Sequence, residues 1–337
     1  MEHMDIGSVY KQNRMLYLAT IELCKTCNWN CKYCYQDDHL DVGLPYDKIV
    51  DVLKQLRQLG CYEVSFTGGE LFTRKDAMDL IKIARKMGFA VSLMTNLSLL
   101  NRATLDTLKS INIESIECSI FSLNPIVHDD FVESQGAFSK VYDNIFYCKK
   151  IGIDVNIGFH PLTINYTELK HFVDFVETYG LKAKYDGVVL PRLDGNMSVM
   201  DYALSGDELI ECFKITDKQM GVEYKRKYDD YVCDRTHISI YITTKGDVKL
   251  CNLLDIVVGN VIVDPLKTIM DTSKNGEKLS YIRDVKWSDL SNECIECPDN
   301  QFCVRCPGIA LLENKGYLES SPINCNIAKA RRLAAFG

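Results

Sequence analysis

No run of about 18 apolar residues occurs in the sequence, so no segment reads as a transmembrane helix. The first fourteen residues are polar and lack the apolar core of a secretory signal. Basic excess is also missing: the formal net charge is −7, which argues against a nucleic-acid partner. The short basic stretch Lys329, Arg331, Arg332 is the local exception and reads as a solvated helix end. The chain is therefore read as cytoplasmic, with neither membrane nor nucleic acid as a partner.

Cysteine, by contrast, is abundant. There are 15 in 337 residues. Without an export signal, disulfides explain them poorly, because the cytosol keeps thiols reduced. Metal ligation explains them better. Ten fall in 24–34 or 233–306, and Cys325 follows. The scattered Cys61, Cys118, Cys148 and Cys212 read as small buried apolar residues.

The length suits two domains or one large barrel, and an apolar content of 47% is ample for a core. From Leu16 to about Gly187, apolar strands alternate with amphipathic helices. Strands are expected at 16–23, 63–67, 90–95, 115–120, 155–159 and 182–189. Helices are expected at 46–59, 75–87, 103–110, 138–151 and 166–179, several of them closed by glycine. Six such repeats imply parallel strands, right-handed crossovers and a sheet buried on both sides. The expected fold is α/β, a partial (β/α)6 TIM-like barrel over 16–203 after a tail at 1–15. A bridging helix and linker at 204–230 lead to a small cysteine-rich domain at 231–337, where a hairpin is expected over 237–250.

The densest cysteines are Cys27-x3-Cys31-x2-Cys34, directly after the first strand. Iron–sulfur clusters are held by thiolates at such tight spacing. The run lacks the fourth Cys and the Pro of a bacterial ferredoxin, and it is not the paired Cys-x2-Cys of structural zinc. Three thiolates on a four-iron cubane leave one iron open to chemistry. Thr67-Gly68-Gly69-Glu70 follows the second strand. Both segments lie at C-terminal strand ends, where barrel active sites form. The glycines allow close backbone approach, and Glu70 offers a carboxylate to a ligand ammonium.

Together, the cysteine spacing, the aromatic Tyr33 before the last Cys, and the Gly-Gly-Glu segment resemble the radical S-adenosylmethionine (SAM) superfamily. Leu71 stands where many members have Pro. The resemblance implies a [4Fe-4S] cluster on Cys27, Cys31 and Cys34, with SAM chelating the open iron. It also implies SAM contacts from Tyr33, Gly68, Gly69, Glu70, Thr95, Asn96, Ser119, Asn156 and Arg192. Of the neighbours Cys118 and Ser119, only one is expected to line the barrel. Cys24, outside the motif, reads as an inert buried thiol.

The C-terminal cysteines resemble the SPASM extension of this superfamily, with the last internal spacing one residue short of its pattern. By that resemblance Cys294, Cys297, Cys303 and Cys325 hold an outer auxiliary [4Fe-4S] cluster. Cys233, Cys251 and Cys306 hold an inner one, which is left with an open iron or a further ligand such as Asp234. The alternative is one or two structural zincs.

The implied chemistry is cleavage of SAM to a 5′-deoxyadenosyl radical, hydrogen abstraction from a substrate, and transfer of the remaining electron to an auxiliary cluster. Relatives of this kind mostly modify peptides. Thioether or carbon–carbon crosslinking of a ribosomally synthesised peptide is expected. Formylglycine formation is the alternative, disfavoured because Asn252 follows Cys251 where a base Asp is needed, with Asp255 displaced. Small-molecule oxidation, as on a tetrapyrrole, and a non-catalytic electron-transfer role are the other readings. The motif starts so near the N-terminus that a separate leader-recognition protein, or the barrel mouth itself, is expected to grip the peptide. An electron donor such as flavodoxin or ferredoxin is the other expected partner.

Overall fold

A computed structural model describes residues 6–36, 38–224, 227–313 and 315–337. Six parallel strands carry the first half of the chain: β1 (Leu18–Glu22), β2 (Glu63–Thr67), β3 (Ala90–Met94), β4 (Ser115–Ser119), β5 (Val155–Phe159) and β6 (Lys182–Tyr185). Each pairs with the next in sequence, as short right-handed crossovers require. Val64, Phe66, Val91 and Leu93 are fully buried between sheet and helices. The amphipathic helices Tyr46–Gln58 and Ala77–Lys86 bury Leu53, Leu56, Leu80 and Ile81 against them. At about 25 cal/mol per Å2, each such side chain contributes roughly 1.5–3 kcal/mol.

Burial on both faces holds for β1 to β3 but not for β4 and β5, which alternate buried and half-buried residues. One face of these two strands packs on helices. The other, with Glu117, Ser119, Asn156 and Gly158, borders a cavity. β6 stops at Tyr185, four residues before the expected end, and the segment after it also borders that cavity. The expected helix at 166–179 starts as a 3-10 turn, Tyr166–Glu168, and becomes α only over Leu169–Thr178. The helix Pro125–Phe131 has no counterpart in the sequence-based expectation. It starts from Asn124, whose side chain accepts from the Ile126 amide, with Pro125 in the first turn.

The C-terminal hairpin is not confined to a separate sheet. β7 (Ser239–Ile242) pairs in parallel with β1, Leu18 opposite Ser239. β8 (Asp247–Lys249) and β9 (Gly259–Asn260) follow antiparallel. The result is one nine-stranded sheet in the order β6-β5-β4-β3-β2-β1-β7-β8-β9. The chain's last helix, Pro322–Phe336, packs along Gly206–Gln219. There Arg331 pairs with Asp217 at 3.2 Å and lies over the Phe213 ring at 4.6 Å, only 8% exposed. Its neighbour Arg332 pairs with Asp299. The solvated-end reading of this basic stretch is thus overturned for Arg331: its stem and charge both have buried partners.

Candidate functional site

The loop after β1 carries Cys27, Cys31 and Cys34 and is fixed from three sides. The Asn30 and Lys32 amides donate to Val132 and Phe131 carbonyls at the end of Pro125–Phe131, each at 3.1 Å. Trp29 is buried edge-on to His128, ring centres 5.6 Å apart. Arg74 donates to the Leu23, Val42 and Leu44 carbonyls, each at 2.9 Å, and holds Asp76 at 2.7 Å. The third side is the Gly68-Gly69 turn. A Cβ on Gly68 would sit 2.5 Å from the Cys24 carbonyl oxygen, and one on Gly69 would sit 2.6 Å from that of Thr26. The Gly69 and Glu70 amides donate to those same two oxygens, at 2.9 and 2.8 Å. The close approach that the glycines permit is therefore first to the cysteine loop's own backbone.

Together these segments wall a cavity of about 500 Å3 at the C-terminal ends of the strands. Its lining includes the three cysteines, Tyr33, Gly68, Gly69, Thr95, Asn96, Ser119 and Asn156. The size is typical of small-molecule and cofactor sites. Tyr33 is packed among Phe121, Phe131 and His160, ring centres 5.3–5.8 Å apart. The Asn96 side-chain amide donates to Oδ1 of Asn28 at 2.9 Å, tying the end of β3 to the cysteine loop.

Two expected contacts are placed differently. Glu70 is fully buried and does not line the cavity. Its carboxylate accepts from the Thr95 hydroxyl at 2.8 Å, the Asn96 amide at 2.7 Å and the Phe72 amide at 3.0 Å. Burial raises its pKa, and those donors oppose the shift. Its acceptors are spent on positioning Thr95 and Asn96 instead of facing a ligand ammonium. Arg192 also lies outside the lining: it donates to the Gln36 carbonyl at 2.7 Å and steadies the backbone just after Cys34. Cys118 and Ser119 both border the cavity, but along β4 Cys118 takes the buried face and Ser119 the half-buried face with Glu117. Cys24 is fully buried, its sulfur 3.5 Å from the Glu70 carbonyl oxygen.

Sequence reasoning missed several cavity residues. His160 follows β5 directly, and Glu117, Lys184 and Asp186 stand at the mouth, where Glu117 and Lys184 form an ion pair. Burial lowers the His160 pKa, and the nearby Asp186 charge opposes this. The strand-end rule that located Ser119 and Asn156 points to His160 equally.

All fifteen cysteines are free thiols. Burial pushes the Cys27 thiol up to about 11 and the Cys31 thiol further, with Cys34 adding like-charge repulsion to both. Three thiols in one cavity, each costly to ionise alone, suit a cationic centre that stabilises the thiolates. The donor set fits an iron–sulfur cluster. Among the described residues no three Cys, His, Asp or Glu side chains converge tightly enough for a single metal ion. A cubane instead needs thiolates spread around a cage, and the three cysteines border a cavity large enough for one.

In the C-terminal region Cys294, Cys297, Cys303 and Cys325 line one cavity of about 70 Å3. Cys233, Cys251 and Cys306 form a second group. Burial raises the thiols of Cys251 and Cys306, and the neighbouring cysteines of the group add to both shifts. Asp234 is paired with Lys11 at 2.7 Å. Asn252 accepts from the Cys251 thiol at 3.3 Å and also hydrogen-bonds Tyr35 of the N-terminal loop.

Compared with known proteins, residues 21–177 match the radical SAM superfamily. These residues form a radical SAM domain. Radical SAM enzymes use SAM and an iron–sulfur cluster, the group whose donor set the Cys27 loop fits. The chain is 23% identical over 336 residues to the AdoMet-dependent heme synthase of Methanosarcina barkeri (strain Fusaro / DSM 804), covering 90% of this chain and 95% of that protein. It is 26% identical over 337 residues to the antilisterial bacteriocin subtilosin biosynthesis protein AlbA of Bacillus subtilis (strain 168), covering 94% and 72%. Among solved structures, Streptococcus suis SuiB bound to its precursor peptide SuiA shares the fold, with a TM-score of 0.70 and 15% identity over 94% of this chain and 78% of SuiB. Among the described residues, no helix of this radical SAM enzyme is long and apolar enough to cross a membrane.

Proposed function

We propose that this radical SAM enzyme is a cytosolic maturase that oxidises a ribosomally synthesised peptide by two electrons, forming an intramolecular thioether or carbon–carbon crosslink. One observation carries the reading: the cavity that holds the three motif cysteines continues, without a break in its lining, to His160, Lys184 and Asp186 at an open mouth. Such a mouth admits a chain segment and presents polar groups to it. The likeness over nearly the whole chain to AlbA, a bacteriocin biosynthesis protein, supports the same reading.

When bound, the cluster and SAM supply a 5′-deoxyadenosyl radical. The chain's own residues bind, orient and exclude water. In this reading Cys27, Cys31 and Cys34 hold the cluster. Gly68, Gly69, Thr95, Asn96, Ser119 and Asn156 frame SAM, and Tyr33 closes one wall. Glu70 and Arg192 position that frame from behind. Cys294, Cys297, Cys303 and Cys325 would hold an outer auxiliary [4Fe-4S] cluster; Cys233, Cys251 and Cys306 would hold an inner one, which would supply an acceptor for the product electron. Asn252 is bonded to Cys251 and Tyr35 and carries no carboxylate, which disfavours formylglycine formation. A flavodoxin or ferredoxin supplies electrons, and a separate protein presents the leader.

Anaerobically reconstituted, reduced enzyme given SAM should release 5′-deoxyadenosine, and Cys31→Ala should not. A short peptide encoded beside this chain should lose about two mass units. Loss of water, or no change with every neighbouring peptide, sinks the crosslinking reading. The likeness to a heme synthase keeps oxidation of a tetrapyrrole side chain as the second reading; turnover of a porphyrinogen with no peptide product would select it.

A further inference from the structure

A second cavity, of about 430 Å3, lies at the opposite end of the sheet. Leu16, which lines it, precedes β1, and His237 precedes β7, so it opens where these strands begin. The catalytic cavity opens where strands end. The two sites share no lining residue.

The chemistry of this second wall is specific. Two guanidiniums, Arg14 and Arg283, face one carboxylate, Asp284, and the remaining wall includes the buried apolar Leu16 and Leu279. Arg14 reaches Asp284 Oδ1 at 3.4 Å, a loose ion pair too long for a good hydrogen bond, and that buried oxygen has no hydrogen-bond partner among the described residues. His237 is 5% exposed, its ring tilted against Tyr231 with ring centres 4.4 Å apart, and its buried Nε2 also has no partner among the described residues. Arg283 is held in place by donating to the Thr236 carbonyl at 2.8 Å. Arg14 itself sits at φ 51, a left-handed backbone that a non-glycine residue adopts at a cost. Buried polar atoms are normally satisfied, so two unpartnered ones around a cavity with a positive excess point to a ligand.

We propose that this cavity is a second binding site, for a small organic carboxylate with an apolar body and a hydrogen-bond donor beside the carboxylate. The guanidiniums take the carboxylate, in the bidentate manner that suits arginine. The donor, a hydroxyl or ammonium on the next carbon, satisfies Asp284. The apolar body lies along Leu16 and Leu279. This inference does not rest on the peptide-crosslinking reading, since it concerns the other end of the sheet.

The test uses the reconstituted holoenzyme, with SAM at saturation, in anaerobic calorimetric titrations. The probe 2-hydroxy-4-methylpentanoate should bind one to one. The probe 4-methylpentanoate, without the hydroxyl, should bind several-fold more weakly, and inorganic phosphate should not compete. Arg14→Gln should weaken the first probe about tenfold while leaving SAM cleavage unchanged. The Arg14 side chain is exposed, so this variant should fold normally even where Arg283→Gln, which loses its Thr236 anchor, does not. Absence of binding, equal binding of phosphate, unchanged affinity in Arg14→Gln, or displacement of the probe by SAM would each overturn the proposal.

Discussion

The Thr95 hydroxyl donates to Glu70 at 2.8 Å, joining the end of β3 to the turn after β2 beneath the cavity floor. The Asn96 amide completes the same carboxylate. Thr95→Val keeps the shape and removes the donor, leaving a buried carboxylate short of one partner. The expected cost is about 1–3 kcal/mol of stability, with roughly tenfold weaker SAM binding in calorimetry. Unaltered SAM affinity at reduced stability would mean that Glu70 serves the fold alone.

Gly69→Ala places a methyl group 2.6 Å from the Thr26 carbonyl oxygen, closer than side chains approach backbone in folded proteins. Backbone has to shift, and it is the backbone that carries Cys27. On the proposed count of three clusters, iron content after reconstitution should fall by about one third, with the N-terminal cluster lost and the two C-terminal ones kept. About twelve irons per wild-type chain is the matching expectation. Full iron loading in Gly69→Ala would show that the turn does not set the loop.

His128 supplies a pH dependence. Its Nδ1 accepts from the Phe121 amide at 3.2 Å, so the neutral ring is the folded form, and burial lowers its pKa to about 4. The unfolded chain protonates it first, near pH 6.5. Stability is therefore fully present above about pH 6.5 and falls as the pH drops toward 4, by up to about 3 kcal/mol. Urea midpoints across that range should show the fall, and His128→Asn, which keeps an acceptor without titrating, should flatten it.

Arg331→Met removes the ionic partner of Asp217 and leaves that carboxylate, with the Tyr224 hydroxyl still donating to it, buried and uncompensated at the junction of Gly206–Gln219 and Pro322–Phe336. A loss of about 3–5 kcal/mol is expected in thermal or urea unfolding. The double variant Asp217→Leu/Arg331→Met should recover most of it.

The sequence made the strands and the cysteine loop legible because both signals are local. Apolar runs mark β1 to β5, and three thiols within eight residues need no tertiary information. The inward turn of Glu70 was not legible, since its donors Thr95 and Asn96 lie about twenty-five residues on, just past the end of β3. Nor was the burial of Arg331, whose partners Phe213 and Asp217 sit more than a hundred residues earlier. Short strands such as β6 give a weak periodic signal, and a seven-residue helix like Pro125–Phe131 gives less. The pattern in β4 and β5 was readable in principle: polar residues at every second position already marked the face that borders the cavity.

The pairing of β1 with β7 sets an order in time. About 220 residues separate Leu18 from Ser239, so at roughly 5–20 residues per second the ribosome takes on the order of 10–40 s to deliver the partner strand. Throughout that interval one edge of β1 stays unpaired, and the loop that follows it hangs from a half-built sheet. On the proposed cluster assignment, a nascent chain stalled before β7 should retain less iron at Cys27, Cys31 and Cys34 than the finished chain.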